Sequence, residues 1–254
     1  MKRAMAVLAA AMLLWGASAT ADTLDFLKPF WMQMMDGASN TASGKIPENV
    51  TVTCADERLT VEACGVLLEN DYSAEAHVYA VLKNNSSERL PIRSVQMTVL
   101  GANGNTLHQE NYVSYMPSVV EPGETMLVSE WMYDFVKEIG KVDSIQISVE
   151  TASRAHEKWK QLGDVRAWLD GDYLCVEFTN TTEKTLFGVI CAATVSDANG
   201  QILDMMMQSP YDTDDLGIAQ GSSIVWRKRL EDAATLKIGT DAVCKAWAYW
   251  MEDL

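Results

Sequence analysis

The sequence is short of basic side chains. It has 20 Lys and Arg against 35 Asp and Glu, which gives a formal net charge of −15 at pH 7. An acidic surface of this kind repels phosphate backbones and anionic lipid headgroups. We therefore predict that nucleic acid is not a partner, and we interpret the acidity as a solubility feature.

Long apolar runs are missing beyond the first residues. Two basic residues precede an apolar run over residues 4–15, and residues 19–21, Ala-Thr-Ala, offer an Ala-x-Ala cleavage site. This order is typical of a secretory signal peptide, which we predict over residues 1–21. No later run reaches the length of about eighteen apolar residues expected of a transmembrane helix. The expected location is periplasmic or extracellular, with no transmembrane segment.

Histidine is scarce, because His77, His108 and His156 are the only three. None has a second His, Cys or carboxylate at a zinc-ligand spacing, and no Gly-x-Ser-x-Gly elbow occurs. His77 is predicted on the outer face of a strand and His108 just after a hairpin, so we interpret both as solvated surface residues. The sequence therefore indicates no catalytic residues, and the chain is predicted not to be an enzyme.

The cysteines number five, enough for two disulfides and one further thiol in an exported chain. Cys54 and Cys64 are the predicted pair, because the residues between them can form a hairpin that brings the two together. Closing so short a loop adds about 2 to 3 kcal/mol. Cys175, Cys191 and Cys244 are interpreted as small apolar fillers, although connectivity cannot be read from sequence.

What the chain does contain is an internal repeat, in which residues 76–107 align without a gap with residues 172–203. Eight pairs are identical: Asn84/Asn180, Leu90/Leu186, Thr98/Thr194, Val99/Val195, Ala102/Ala198, Asn103/Asn199, Gly104/Gly200 and Leu107/Leu203. A repeat of this length is a whole small domain. We predict one domain over residues 50–150, a linker over residues 151–163 and a second domain over residues 164–254.

Alternating apolar residues predict the fold class of both copies. The inward-facing residues are expected to be Val78, Ala80, Leu82, Val95, Met97 and Val99, answered by Leu174, Val176, Phe178, Cys191, Ala193 and Val195. A period of two indicates strands with one face turned to a core. Asn-Gly steps at residues 103–104 and 199–200 predict type I′ hairpin turns. The chain is thus predicted to be mostly β, with two tandem antiparallel β-sandwiches.

Residues 22–49 fall outside the repeat and are predicted to be an N-terminal arm. Its apolar residues have the spacing of one face of a short helix, which Pro29 would kink: Leu24, Leu27, Phe30, Trp31 and Met34. The linker over residues 151–163 is predicted to be a helical turn or two, or irregular.

The two copies resemble the FxLYD and related immunoglobulin-like domains of bacterial exported proteins. The resemblance is carried by residues 81–84, Leu90, 95–104 and 121–124 in the first copy, with residues 178–180, Leu186 and 191–200 in the second. Residues 97–101 and 193–197 replace the Phe-x-Leu-Tyr-Asp signature itself. The resemblance implies an immunoglobulin-like sandwich of the bacterial envelope and brings no catalytic residues.

Two groups of side chains are candidate metal ligands. Asp212, Asp214 and Asp215 place three carboxylates in one loop, which suits calcium, although the spacing is not that of an EF-hand and a plain solvated turn is favoured. Residues 32–35 and 205–207 form two methionine clusters, and thioethers suit Cu(I). Because no histidine accompanies either cluster in the sequence, packing is the favoured interpretation.

Aromatic residues late in each copy are candidates for a binding face. Trp131, Tyr133 and Phe135 alternate in the first copy, and Trp247 and Tyr249 alternate in the second. An exposed row of rings stacks on sugars or docks a protein, whereas buried rings would seal an interface between sandwiches. Burial is the favoured interpretation.

Two functional hypotheses follow from these patterns. The first is a non-enzymatic binding or structural module of the bacterial cell envelope, with a protein or glycan partner. The second is a carbohydrate-binding or calcium-binding accessory component of an extracellular enzyme system, which depends on the aromatic rows and on the aspartate loop.

Overall fold

The computed structural model describes residues 50–69, 75–132, 142–153, 158–208, 217–230, 238 and 241–252. These residues belong to one compact unit, residues 43–254. They form sixteen strands and no helix, so the described part of the chain is mostly β, as predicted. The predicted signal peptide and the predicted N-terminal arm lie outside the described residues.

The first half of the described chain contains nine strands. They are β1 (Thr51–Cys54), β2 (Leu59–Glu69), β3 (Glu75–Asn84), β4 (Leu90–Gly101), β5 (Thr106–Glu110), β6 (Ser114–Met116), β7 (Val119–Val120), β8 (Thr125–Met132) and β9 (Val142–Thr151). The second half contains β10 (Trp159–Gln161), β11 (Val165–Asp170), β12 (Tyr173–Thr179), β13 (Ile190–Ser196), β14 (Ile202–Gln208), β15 (Ser223–Arg229) and β16 (Val243–Met251).

Four sheets are built from these strands, two in each half. Sheet I has the order β2-β3-β8-β6, and sheet II has the order β1-β9-β4-β5 with β7 paired to β4. Sheet III has the order β10-β16-β13-β14, and sheet IV has the order β11-β12-β15. All pairings are antiparallel except β1 with β9, which is parallel.

Each half encloses its own apolar core between its two sheets. The first core lies between sheets I and II, where β3 contributes Val78, Ala80 and Leu82 and β4 contributes Val95, Met97 and Val99. The second core lies between sheets III and IV and contains Leu174, Val176, Phe178, Cys191, Ala193 and Val195. The side chains that alternation predicted to face inward are therefore confirmed as members of the two cores.

A buried asparagine organises the same corner of each half. The Asn84 amide donates to the carbonyls of Glu88 and Val120 at 2.7 and 3.1 Å, and its oxygen accepts from the Ser86 amide and hydroxyl. Asn180 does the same, donating to the carbonyls of Lys184 and Ile218 and accepting from Thr182. Both asparagines are fully buried. A single side chain thus ties a polar turn to the strand edge beside it.

Strand β3 also carries a second buried face, which packs against the other half. Tyr79 and Val81 from sheet I lie in a third apolar cluster, the junction layer, with Ile190, Ala192 and Tyr249 from sheet III. Hydrogen bonds between described residues cross here from the second half to the first, among them those from Trp159 Nε1 to Ser118 Oγ at 2.8 Å and from the Tyr249 hydroxyl to the Thr125 carbonyl at 2.9 Å. The alternation pattern predicted only one buried face, because partners from a distant part of the chain leave no trace in the local period.

Close backbone approach at the junction requires a glycine in β2. A Cβ added at Gly65 would lie 1.8 Å from the carbonyl oxygen of Ile202, which is backbone of the second half. No side chain fits in this space, so Gly65 lets β2 and β14 come together.

Three local predictions differ from the structure. The hairpins after β4 and β13 are present, but the turn hydrogen bonds run from Gly104 to Gly101 and from Gly200 to Asp197. Each turn is therefore centred one residue earlier than predicted and ends in a glycine of positive φ, the three-residue bulged loop instead of type I′. Within the predicted linker, Trp159–Gln161 forms β10.

The third difference concerns the cysteine pair. Strands β1 and β2 do not form a hairpin, because β1 pairs with β9 in sheet II while β2 pairs with β3 in sheet I. Cys54 and Cys64 consequently lie in different sheets, and both are free thiols, so the predicted disulfide is not formed in the structure.

Replacing the corner asparagine is expected to weaken the fold. Asn84→Ala leaves one buried carbonyl, one part-buried carbonyl and a part-buried amide without their partner, which costs about 3 kcal/mol of unfolding free energy. The exposed neighbour gives a matched control, since Asn85→Ala removes one exposed hydrogen bond and should change the unfolding free energy by less than about 0.5 kcal/mol. Urea unfolding measures both, and equal effects would contradict the organising role of Asn84.

Adding a methyl group at the junction glycine is expected to disrupt the packing of the halves. Gly65→Ala forces the Ile202 carbonyl to move and should cost about 2 to 3 kcal/mol. Gly163 has no atom within 4 Å of an added Cβ, so Gly163→Ala is the control and should change stability by less than about 1 kcal/mol. Denaturant unfolding compares the two, and an unchanged midpoint for Gly65→Ala would show that the contact is unimportant.

Candidate functional site

A cleft of about 540 Å³ opens where the two halves meet. One wall comes from β6 and β8 of sheet I, and the other comes from β14 and β15 of sheets III and IV. The residues that line it are His77, Ser114, Ser129, Glu130, Trp131, Met205, Met206, Met207, Arg227 and Lys228. The cleft therefore exists only when both halves are packed together.

Beside the cleft lies a buried charged network that joins the halves. Asp204 on β14 is fully buried, and its Oδ1 accepts hydrogen bonds from the Tyr79 hydroxyl at 3.0 Å and from Lys228 Nζ at 2.9 Å. The Met205 amide donates to the same oxygen at 2.7 Å. A buried carboxylate needs such partners, because removing it from water without compensation is costly.

His77 extends this network to the surface of the cleft. Its Nδ1 lies 2.7 Å from the Tyr79 hydroxyl and its Nε2 lies 3.3 Å from Ser129 Oγ. The imidazole stacks on the Trp131 ring with centroids 4.9 Å apart and is only 8% exposed. The prediction of a solvated His77 was therefore wrong, because the face of β3 that carries it is covered by the second half.

Two further charged groups line the cleft. Burial raises the pKa of the Glu130 carboxyl above its usual value, opposed by the backbone N–H of Ser114 that donates to it at 3.1 Å. The Arg227 guanidinium lies 5.0 Å from the centre of the Tyr173 ring, as in a cation–π contact. The cleft thus presents charges of both signs.

The predicted aromatic binding face is divided by the structure. Trp131 is half-buried and lines the cleft, and Trp247 is half-buried against the junction layer. Tyr249 is fully buried, and burial raises the pKa of its hydroxyl. It therefore cannot belong to an exposed face and instead seals the junction. Tyr133 and Phe135 lie outside the described residues.

The other predicted sites lie mostly outside what the structure describes. Asp212, Asp214 and Asp215 fall there, as do His156 and the methionine cluster at residues 32–35. Across the described ranges, no three His, Cys, Asp or Glu side chains are grouped to hold a metal ion. Nor do those ranges contain an apolar helix of membrane-spanning length.

The described thiols are poor nucleophiles where they lie. Burial raises the pKa of Cys191, which belongs to the second core, and it also raises the pKa of Cys54, Cys64 and Cys244. Cys175 is buried on the face of β12 away from the second core, where its pKa is raised as well. A raised pKa leaves less of the reactive thiolate at neutral pH.

Sequence reasoning missed the central members of the network, Tyr79, Asp204 and Lys228. One signal was available, since Asp204 interrupts the otherwise apolar start of Ile202–Gln208. A carboxylate at such a position is rarely buried unless it is paired. Its partner could not have been named, because Tyr79 lies 125 residues away in the chain.

Comparisons with known proteins add little to this description. No family model and no curated protein matches the sequence. Among solved structures, the crystal structure of red sea bream transglutaminase is similar at 12% identity with a TM-score of 0.18. The match covers 61% of this chain but only 25% of that one, so the chain spans about a quarter of its length. A likeness at this score carries no argument about function.

Removing the ammonium group of the network is expected to destabilise the protein. Lys228→Met leaves the Asp204 carboxylate buried with one charged partner fewer, which costs about 3 kcal/mol. Lys160 forms an exposed ion pair with Glu252, so Lys160→Met is the control and should cost less than about 1 kcal/mol. Urea unfolding at pH 7 compares the two variants. Equal losses of unfolding free energy would show that the pair with the buried Asp204 stabilises the fold no more than an exposed ion pair does.

Proposed function

We propose that the protein is an exported, non-enzymatic binding module of the bacterial cell envelope, built from two tandem immunoglobulin-like domains. The repeated asparagine corner supports the tandem organisation, because Asn84 and Asn180 make the same set of hydrogen bonds in the two halves. The leader-like residues 1–21 support export. The resemblance to immunoglobulin-like domains of bacterial exported proteins supports assignment to the class of envelope binding modules.

The cleft between the halves carries the binding role in this proposal. Its walls come from both halves, and Tyr79 and Asp204 connect those walls through a buried hydrogen bond. Ligand sites concentrate at junctions between domains, where a rigid scaffold holds a few polar groups beside apolar ones. A half-buried ring, Trp131, and the thioethers of β14 supply the apolar part.

The arrangement of polar groups favours binding over catalysis. Lys228 and Tyr79 both direct their polar atoms at Asp204, so these groups stabilise one another across the junction. His77 is fixed between Tyr79 and Ser129 by hydrogen bonds. Such a network orients the side chains of a site and holds the two halves together.

A second candidate function has one observation in its favour. Trp131 presents a half-buried ring at the cleft, and a ring so placed can stack on a sugar. This observation supports a carbohydrate-binding accessory component of an extracellular enzyme system. The calcium-binding form of the same alternative depends on Asp212, Asp214 and Asp215.

Thermal unfolding with calcium and with a glycan panel separates the two functions. A ligand at about 100 times its Kd adds about 2.7 kcal/mol of stability and raises the Tm of a chain of this size by roughly 5 to 10 °C. We expect no shift above about 1 °C with calcium or with any glycan. A glycan shift that disappears in Trp131→Ala would overturn the first proposal in favour of the second, and a calcium shift would favour the aspartate loop.

A further inference from the structure

In the cleft, the imidazole of His77 lies on the wall opposite the thioethers of Met205 and Met207. The sequence alone showed no histidine near these methionines. Met205 and Met207 share one face of β14, where both pack against the junction layer, whereas Met206 packs in the second core and also lines part of the cleft. His77, on the junction face of β3, lines the same cleft. The side chains of His77, Met205 and Met207 thus line one cleft from opposite halves.

The hydrogen bonds of His77 select the tautomer that a metal ion requires. The Tyr79 hydroxyl has one proton, which it donates to Asp204, a carboxylate that can only accept. Tyr79 must therefore accept from His77, so that Nδ1 carries the ring proton. In the neutral ring Nε2 then has a lone pair, which accepts from the Ser129 hydroxyl at 3.3 Å.

This chain from ring to carboxylate is the usual support of a metal-binding histidine. Such a histidine donates its second N–H to a carboxylate, carbonyl or water, which fixes the ring and raises its basicity. Here Tyr79 relays that bond to Asp204, which is itself held by Lys228. The imidazole is further fixed by the Trp131 ring stacked on it.

The donor set determines the class of ion. Thioethers and imidazole are the soft and borderline ligands that select Cu(I), whereas calcium and magnesium require hard oxygens. Of the charged groups in the lining, the Glu130 carboxyl lies on the sheet I wall, whereas Arg227 and Lys228 lie on the opposite wall, where Lys228 is paired with Asp204. A neutral set of three donors suits a monovalent ion better than a divalent one.

We propose that the cleft binds a soft monovalent metal ion, Cu(I) or its analogue Ag(I), through His77 Nε2 and the sulfurs of Met205 and Met207. The ion replaces the Ser129 hydroxyl at Nε2, and no electron transfer is involved. This inference rests on the proposed binding role of the cleft and names the chemistry of its ligand. Tyr79 acts as a positioning residue that holds the ring in the required tautomer.

Titration with Ag(I), which does not change oxidation state, tests the site in the full chain with ¹³C-methyl-labelled methionines. The five cysteines also bind silver, so the readout is the methyl spectrum, followed to about six equivalents. We expect the signals of Met205 and Met207 to shift together, and the signal of Met126, which is buried in the first core, to stay in place. Unmoved signals of Met205 and Met207, or an equal shift at Met126, would overturn the proposal.

Matched variants separate coordination from folding. Met→Leu conserves volume and keeps the fold, so the double variant Met205→Leu/Met207→Leu should lose about 100-fold in silver affinity at the cleft, and Met126→Leu in the first core should lose none. Tyr79→Phe should lower the affinity about 10- to 100-fold while the methyl shifts at saturation persist, as expected of a positioning residue. An unchanged silver affinity in the double variant would contradict the proposed metal site. The thermal unfolding experiment with calcium and glycans contains no silver. It therefore tests the proposed binding module independently of the proposed metal site.

Discussion

Burial of β3 on both faces is the constraint on which the rest of the structure depends. Val78 and its neighbours on one face fill the first core, while Tyr79 on the other face fills the junction layer. A strand with two buried faces remains exposed to water on one of them until both halves are in place. The second half therefore completes the burial of the first, and Gly65 permits the close backbone approach that this requires. The cleft is a consequence, since it lies where the two packed halves diverge.

The polar network at the junction is better understood as a device of specificity than of stability. Burying the Asp204 carboxylate beside the part-buried Lys228 ammonium costs hydration energy that their attraction only partly offsets, and well-packed apolar residues are often at least as stable in such positions. A network with the Tyr79 hydroxyl at its centre, however, is satisfied in one relative position of the halves. That position sets the orientation of His77 beside Trp131. The chemistry available in the cleft therefore depends on the relative position of the two halves.

Much of the fold could be predicted from local pattern, and much of the site could not. Alternation identified the inward faces of β3, β4, β12 and β13, because a period of two reports burial on one side of a strand. Hairpins were expected at the two Asn-Gly steps, and they are present with the turn one residue earlier. The same alternation placed His77 in solvent, since a period cannot tell solvent from a second protein layer. For the same reason, the sequence could not decide whether Tyr249 belongs to an exposed binding face or to a buried interface.

By itself, the sequence determined the mostly β class of structure and the inward strand faces of the repeat, because each depends on neighbours a few residues apart or on a repeat visible by inspection. Only the tertiary structure decided what lies on the outer face of β3. It put the methionines of β14, which the sequence showed without a histidine, beside His77, and it linked that histidine through Tyr79 to Asp204. Tyr79 and Asp204 are separated by 125 positions, and contacts over such distances arise from packing of whole sheets, which no local period encodes.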